Sequence, residues 1–184
     1  MARRVLRSTA VPTSSGWQSE QTFFSLSCDA RVLPLERLTD THRQVLRYWD
    51  EKRGTDHVPP RAGLDPCDFP RALANVALWD ADDDYRCRLA GTAVDGGMGC
   101  HLRGLTLSDM RCSLLDEARS EFAMVRDSGL VSFAERTLGW VGKPHRYYRH
   151  LILPLRNTAN EIGQLLSVLT FHNVSERAPH LLAR

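Results

Sequence analysis

The spacing of apolar positions changes several times along the chain, and each change marks an element. Residues 39–53 place Val45, Leu46 and Trp49 on one face of a 3.6-residue repeat, with Thr39 or Asp40 able to cap the start and Gly54 ending the run. This predicts an amphipathic helix whose apolar stripe must lie on other elements. Residues 58–61 read as extended. Pro66 behind Asp65 fits a first helical turn, and Pro70 limits the stretch up to Asn75 to one or two short helices.

From Asn75 the spacing becomes that of strands. Residues 76–80 and 85–90 flank a polar turn at Asp82, Asp83 and Asp84, which predicts an antiparallel hairpin. Strict alternation would put Tyr85, Cys87 and Leu89 on one face and Arg86 and Arg88 on the other. Five glycines between residues 91 and 110 leave room only for short helical turns and tight loops. Ser113 and Asp116 then have the spacing of a capping box, Leu115, Ala118, Phe122 and Val125 follow at helical spacing, and Gly129 closes that helix. Three strand-like runs finish the pattern at 130–141, 145–155 and 162–172, the last two joined by an asparagine-containing turn. Residues 151–153 and 165–169 are apolar at both parities, so the sheet is expected to be covered on both faces. The middle helices can cover one face and the 39–53 helix the other. The order of elements is α+β, with five strands.

Composition agrees and excludes a few classes. A chain of 184 residues, 42% hydrophobic and 25% charged, suits one globular domain with extensions. The formal charge is only +2 and the arginines are spread along the chain, which argues against a nucleic-acid partner. No run approaches the ~20 apolar residues that cross a bilayer, so no membrane association is expected. Five widely spaced cysteines, Cys28, Cys67, Cys87, Cys100 and Cys112, form no C-x-x-C pair and no zinc pattern, and reduced thiols in a cytoplasm account for them. Residues 1–30 are basic without the apolar run of a signal peptide and read as a flexible N-terminal extension; residues 173–184 read as a C-terminal tail.

Several segments, taken together in order and spacing, resemble a bacterial family of PAS-like proteins outside the mainstream sensor-kinase group. They are Tyr48-Trp49 with Arg53-Gly54, Pro59 with Arg61, Asp65-Pro66 with Phe69-Pro70, residues 85–92, residues 99–104, and residues 151–155. The chain departs from the family at Gly63-Leu64 and at Cys100-His101. The resemblance covers residues 42–172 and implies a PAS-like five-stranded antiparallel sheet with flanking helices, over a domain at 58–172 preceded by the 39–54 helix. It implies a sensory, ligand-binding or interaction module without a catalytic step.

Candidate chemistry is sparse. Cys100 beside His101 suggests an activated thiol, but neighbours in sequence point apart, so no catalytic role is assigned and a redox-sensing thiol is the stronger use. The 113–127 helix holds no histidine, leaving His101, His145 and His150 as the only candidates for haem, and residues 99–102 lack the reactive-cysteine motif of a photoactive flavin site. Neither cofactor is supported, and no metal is expected. Arg86 and Arg88 would clamp an anion only if they shared an enclosed face.

The expectation is therefore a cytoplasmic, non-enzymatic PAS-type module with no output domain in the chain. It binds a small ligand or a signalling protein, with Trp79, Cys87, Leu89, His101, Leu102, Phe122 and Leu153 as pocket candidates. The alternative is a ligand-free interaction or homodimerisation module in which Tyr48 and Trp49 anchor a two-fold contact. An enzyme of unknown type ranks last, because no nucleophile, base and orienting group assemble from the motifs.

Overall fold

The computed structural model describes residues 30–32, 35–110 and 115–176. Among these residues six antiparallel strands form one sheet: β1 (Ala30–Val32), β2 (Val76–Asp80), β3 (Cys87–Ala90), β4 (Ser132–Leu138), β5 (Lys143–Arg156) and β6 (Ile162–Asn173), in the order β1-β4-β5-β6-β2-β3. Five are the expected strands. The sixth, β1, pairs with residues Ala134–Arg136 of β4 and begins at the edge of the segment read as a flexible extension. Residues 1–29, the capping-box Ser113, Cys28, Cys112 and residues 177–184 lie outside the described residues. Among the described residues three α-helices accompany the sheet: α1 (Asp40–Arg53), α2 (Thr92–Met98) and α3 (Leu115–Ser128).

Strand parity divides the interior in two. On β5, Leu151, Leu153 and Leu155 pack with Val45, Leu46 and Trp49 of α1, whereas Tyr148 and Ile152 pack with Phe122 and Val125 of α3 and with Val94 and Met98 of α2. Each face is thus closed by helices, as the apolar runs at both parities require. Each fully buried aliphatic side chain in these layers contributes roughly 1.5–3 kcal/mol.

The start of α1 is fixed by Thr39, whose hydroxyl accepts from the His42 backbone N–H while His42 Nδ1 accepts from the Thr39 N–H at 3.3 Å. The same imidazole then donates through Nε2 to the Val168 carbonyl at 3.2 Å, tying the helix start to β6. Trp49 Nε1–H donates to the Pro154 carbonyl at 2.8 Å, and Tyr48 donates to Asp68 at 2.8 Å while accepting from the Asp65 N–H at 2.8 Å. Of the two side chains expected to anchor a dimer, Trp49 is only 2% exposed, and Tyr48, 9% exposed, borders a surface groove with Arg43, Arg47 and Glu51.

The predicted strand 85–90 begins two residues late, because Tyr85 takes a positive φ of 49°. A β-bulge then sets Trp79 opposite Cys87 but Leu78 opposite Leu89. The extra residue, Arg88, reverses parity, so Cys87 faces the α3 side with Trp79 while Leu89 is left 42% exposed on the edge strand. The chain then turns at Gly91, where an added Cβ would stand 2.2 Å from the Leu73 carbonyl oxygen, and enters α2. Among the described residues no helix is long and apolar enough to cross a membrane.

Candidate functional site

The space between the sheet and α3 is not completely filled. A cavity of about 50 Å³ remains, reached by Trp79 of β2, Met98 of α2, Leu102 and Leu107 of the following loop, Phe122 of α3 and Leu169 of β6. That volume suits three to five water molecules or a molecule of similar size. It does not suit a haem or a flavin.

The wall is apolar except where Glu121 of α3, Arg136 of β4 and Tyr148 and His150 of β5 bring polar groups to it. Arg136 Nη2 donates to Glu121 Oε2 at 2.6 Å and Nη1 to Glu117 Oε2 at 3.4 Å, and Ser132 Oγ–H donates to Glu121 Oε1 at 2.5 Å. Glu121 and Arg136 are each 2% exposed. Burial alone pushes the Glu121 carboxyl up, but the Arg136 guanidinium and the hydrogen bonds outweigh it and hold the pKa below its ordinary value. Burial likewise opposes the charge on Arg136, and Glu121 overcomes it, so the guanidinium stays charged. For His150 burial wins: together with the charge of Arg136 it outweighs the opposing pull of Glu121 and brings the pKa down to about 4, so the ring is a neutral imidazole, bonded through Nε2 to Ser167 Oγ at 2.8 Å.

Two further wall residues, Trp79 and Trp140, carry indole N–H groups that are buried and have no hydrogen-bond partner among the described residues. Phe122 stands edge-on to Trp79, with ring centroids 5.4 Å apart, and edge-on to Tyr85 at 5.2 Å. The wall residues therefore bring together aromatic and aliphatic contact and a charge-balanced ion pair, and two of them carry buried indole N–H groups unpaired among the described residues.

Of the pocket candidates, Trp79, Leu102 and Phe122 are on the cavity wall, and Cys87 lies in the same core without reaching it. The other three lie elsewhere. Leu89 is turned away by the bulge, and Leu153 has the opposite parity and packs under α1. His101 is exposed, its Nδ1 2.8 Å from Asp95 Oδ2. The residues missed were legible in part. Glu121 falls between Ala118, Phe122 and Val125 on the buried stripe of α3, and Arg136 shares the parity of Ser132, Ala134 and Leu138 on a strand covered on both faces. A charge at each of two such positions is the signature of a buried pair.

Thiol chemistry finds no support in the geometry. Burial pushes the Cys87 thiol up to about 12, and burial followed by the charge of Asp95 raises that of Cys100, so neither is biased toward thiolate. His101 engages Asp95 rather than Cys100. Ser167 and His150 form a hydroxyl–imidazole pair, but the serine is fully buried behind the histidine and does not reach the cavity, the reverse of what nucleophilic attack needs. Arg86 donates to the Gly104 carbonyl and Arg88 pairs with Asp80, so they form no anion clamp. Among the described residues no three His, Cys, Asp or Glu side chains are grouped to hold a metal ion.

A family model described as a PAS domain matches residues 37–170, from before α1 into β6. No curated protein matches the chain. One similar solved structure is that of an RNA-binding light-oxygen-voltage receptor, 18% identical, with 65% of this chain and 37% of that chain covered and a TM-score of 0.44. This chain thus aligns with well under half of that receptor's length, and a likeness of this degree carries no functional argument. The family match spans most of the chain and takes in the helix, both halves of the sheet and the cavity between sheet and α3: the chain belongs to the PAS domain family.

Proposed function

We propose that the chain is a sensory module that binds a small ligand in the cavity between the sheet and α3 and passes the change in occupancy to α1. The observation that carries this reading is that two residues on the wall of one cavity, Trp79 and Trp140, have buried indole N–H groups without partners among the described residues. A buried donor left unpaired costs about 1–3 kcal/mol, so two at one place point to acceptors supplied from outside the chain.

The path to α1 is short because the sheet is one residue thick. His150 reaches the cavity while its neighbour Leu151 packs under α1, and Leu169 reaches the cavity while Val168 accepts from His42 of α1. A ligand that shifts β5 and β6 by a fraction of an ångström alters the seat of α1 directly. The output then goes to a signalling partner that meets α1, whose outer face carries Arg43, Arg47 and Glu51. A dimer through α1 would use that face too, with Tyr48 at its groove and Trp49 beneath it. The module is read as non-enzymatic because none of the described nucleophiles reaches the cavity beside a base, and as cytoplasmic because Cys67 and Cys100 are exposed free thiols.

The test is to denature the purified protein, identify any released compound by mass spectrometry, and scan its absorbance for haem or flavin. A compound near one per chain, lost from an Ala118→Phe variant that fills the cavity, supports the reading. Recovery that is equal from both proteins overturns it, as does an empty parent protein that no compound of a broad library stabilises.

A further inference from the structure

The charges and donors on the cavity wall restrict what it can hold, and the restriction, which rests on the cavity being a ligand site, narrows the ligand's chemistry. Arg136 is charge-balanced by Glu121 at 2.6 Å and Glu117 at 3.4 Å, so its charge is already met within the protein. An anion would also stand beside two carboxylates. Glu121 is in turn balanced by Arg136 and accepts from Ser132 at 2.5 Å, so an ammonium group would have to compete with a guanidinium already in place. Among the described residues, the wall side chains with a buried nitrogen left unpaired are Trp79 and Trp140, each through its indole N–H, a donor.

We propose that the cavity takes a small uncharged molecule with a carbonyl-type oxygen, whose two lone pairs accept from Trp79 and Trp140 while its apolar part lies against Phe122, Leu102 and Leu169. A carbonyl oxygen can accept two hydrogen bonds, which matches the number of free donors. The volume of about 50 Å³ sets the ligand at a handful of heavy atoms, with some growth allowed by Met98 and Met110, whose unbranched side chains repack readily. A site with unpaired donors rejects an isosteric hydrocarbon, because that occupant would leave the donors buried and unsatisfied.

The experiment uses the full chain, stripped of bound compounds, and four probes: cyclopentanone, cyclopentane, cyclopentylammonium and cyclopentanecarboxylate. Binding is followed through the indole N–H resonances, assigned with single Trp→Phe variants. Cyclopentanone should bind at least about tenfold more tightly than the other three, from two hydrogen bonds worth roughly fivefold each. It should move the Trp79 and Trp140 indole resonances downfield and leave Trp49, already bonded to Pro154, unmoved. Trp79→Phe and Trp140→Phe should each weaken the ketone roughly fivefold and leave cyclopentane unchanged. Equal binding of ketone and hydrocarbon, or preference for either ion, overturns this inference while leaving the cavity as a ligand site. No binding by any probe, with slowly exchanging water seen beside both indoles, overturns this inference and the cavity reading together.

Discussion

Arg136 and Glu121 show how much of this protein's stability hangs on single side chains. Arg136→Met would leave the Glu121 carboxylate buried without its main partner, and urea denaturation should show a loss of about 3–5 kcal/mol. Adding Glu121→Leu removes the stranded charge, and the double variant should recover most of that loss; a double variant as unstable as the single one would mean the pair is not the source. The two buried imidazoles give a pH dependence of definite sign. Burial brings His42 and His150 to about 4 from the ordinary 6.5, so between those values the unfolded chain takes up protons that the folded chain does not. Stability contributed by neutral imidazole is therefore whole above pH 6.5 and is lost as pH falls toward 4, at about 2 kcal/mol per histidine by pH 5. Glu121, with its pKa lowered, acts in the same direction at lower pH. Urea midpoints measured from pH 7 to pH 5 should fall, and His42→Gln should flatten the fall; a pH-independent midpoint would contradict the burial of both rings.

At the scale of elements, α1 is held by its cap and by one indole. Thr39→Ala should cost about 1 kcal/mol in thermal or chemical unfolding. Trp49→Ala should cost about 3–5 kcal/mol with no change in oligomeric state measured by light scattering, since the ring is 2% exposed inside the protomer. Gly91→Ala should cost about 1–3 kcal/mol or more, because its Cβ would meet the Leu73 backbone oxygen, which cannot yield as a side chain can. The helices and long strands were legible because periodicity over ten or more residues averages out local exceptions. The β3 edge was not: one inserted residue at the bulge reverses the parity of Leu89, and a bulge leaves no periodic trace in a four-residue strand. Three residues of β1 likewise carry too little pattern to declare themselves. The cavity was legible only in its apolar half. Its polar half is assembled from α3, β4 and β5, and Glu121 and Arg136 are 15 residues apart, so only the register of strand on helix brings them together.

Across the whole molecule, one sheet serves two interiors, and the same strands carry both. Residues of β5 and β6 alternate between the cavity and α1, so occupancy on one side is coupled to helix seating on the other through backbone that both share. Amide hydrogen exchange, compared between ligand-loaded and stripped protein, tests this most directly. Loading should slow exchange in α3, in β5 and β6, and in α1 at residues 40–53, the last by coupling across the sheet alone. A response confined to α3 and the cavity-facing strands, with α1 unchanged, would contradict a sensor that reports through this helix.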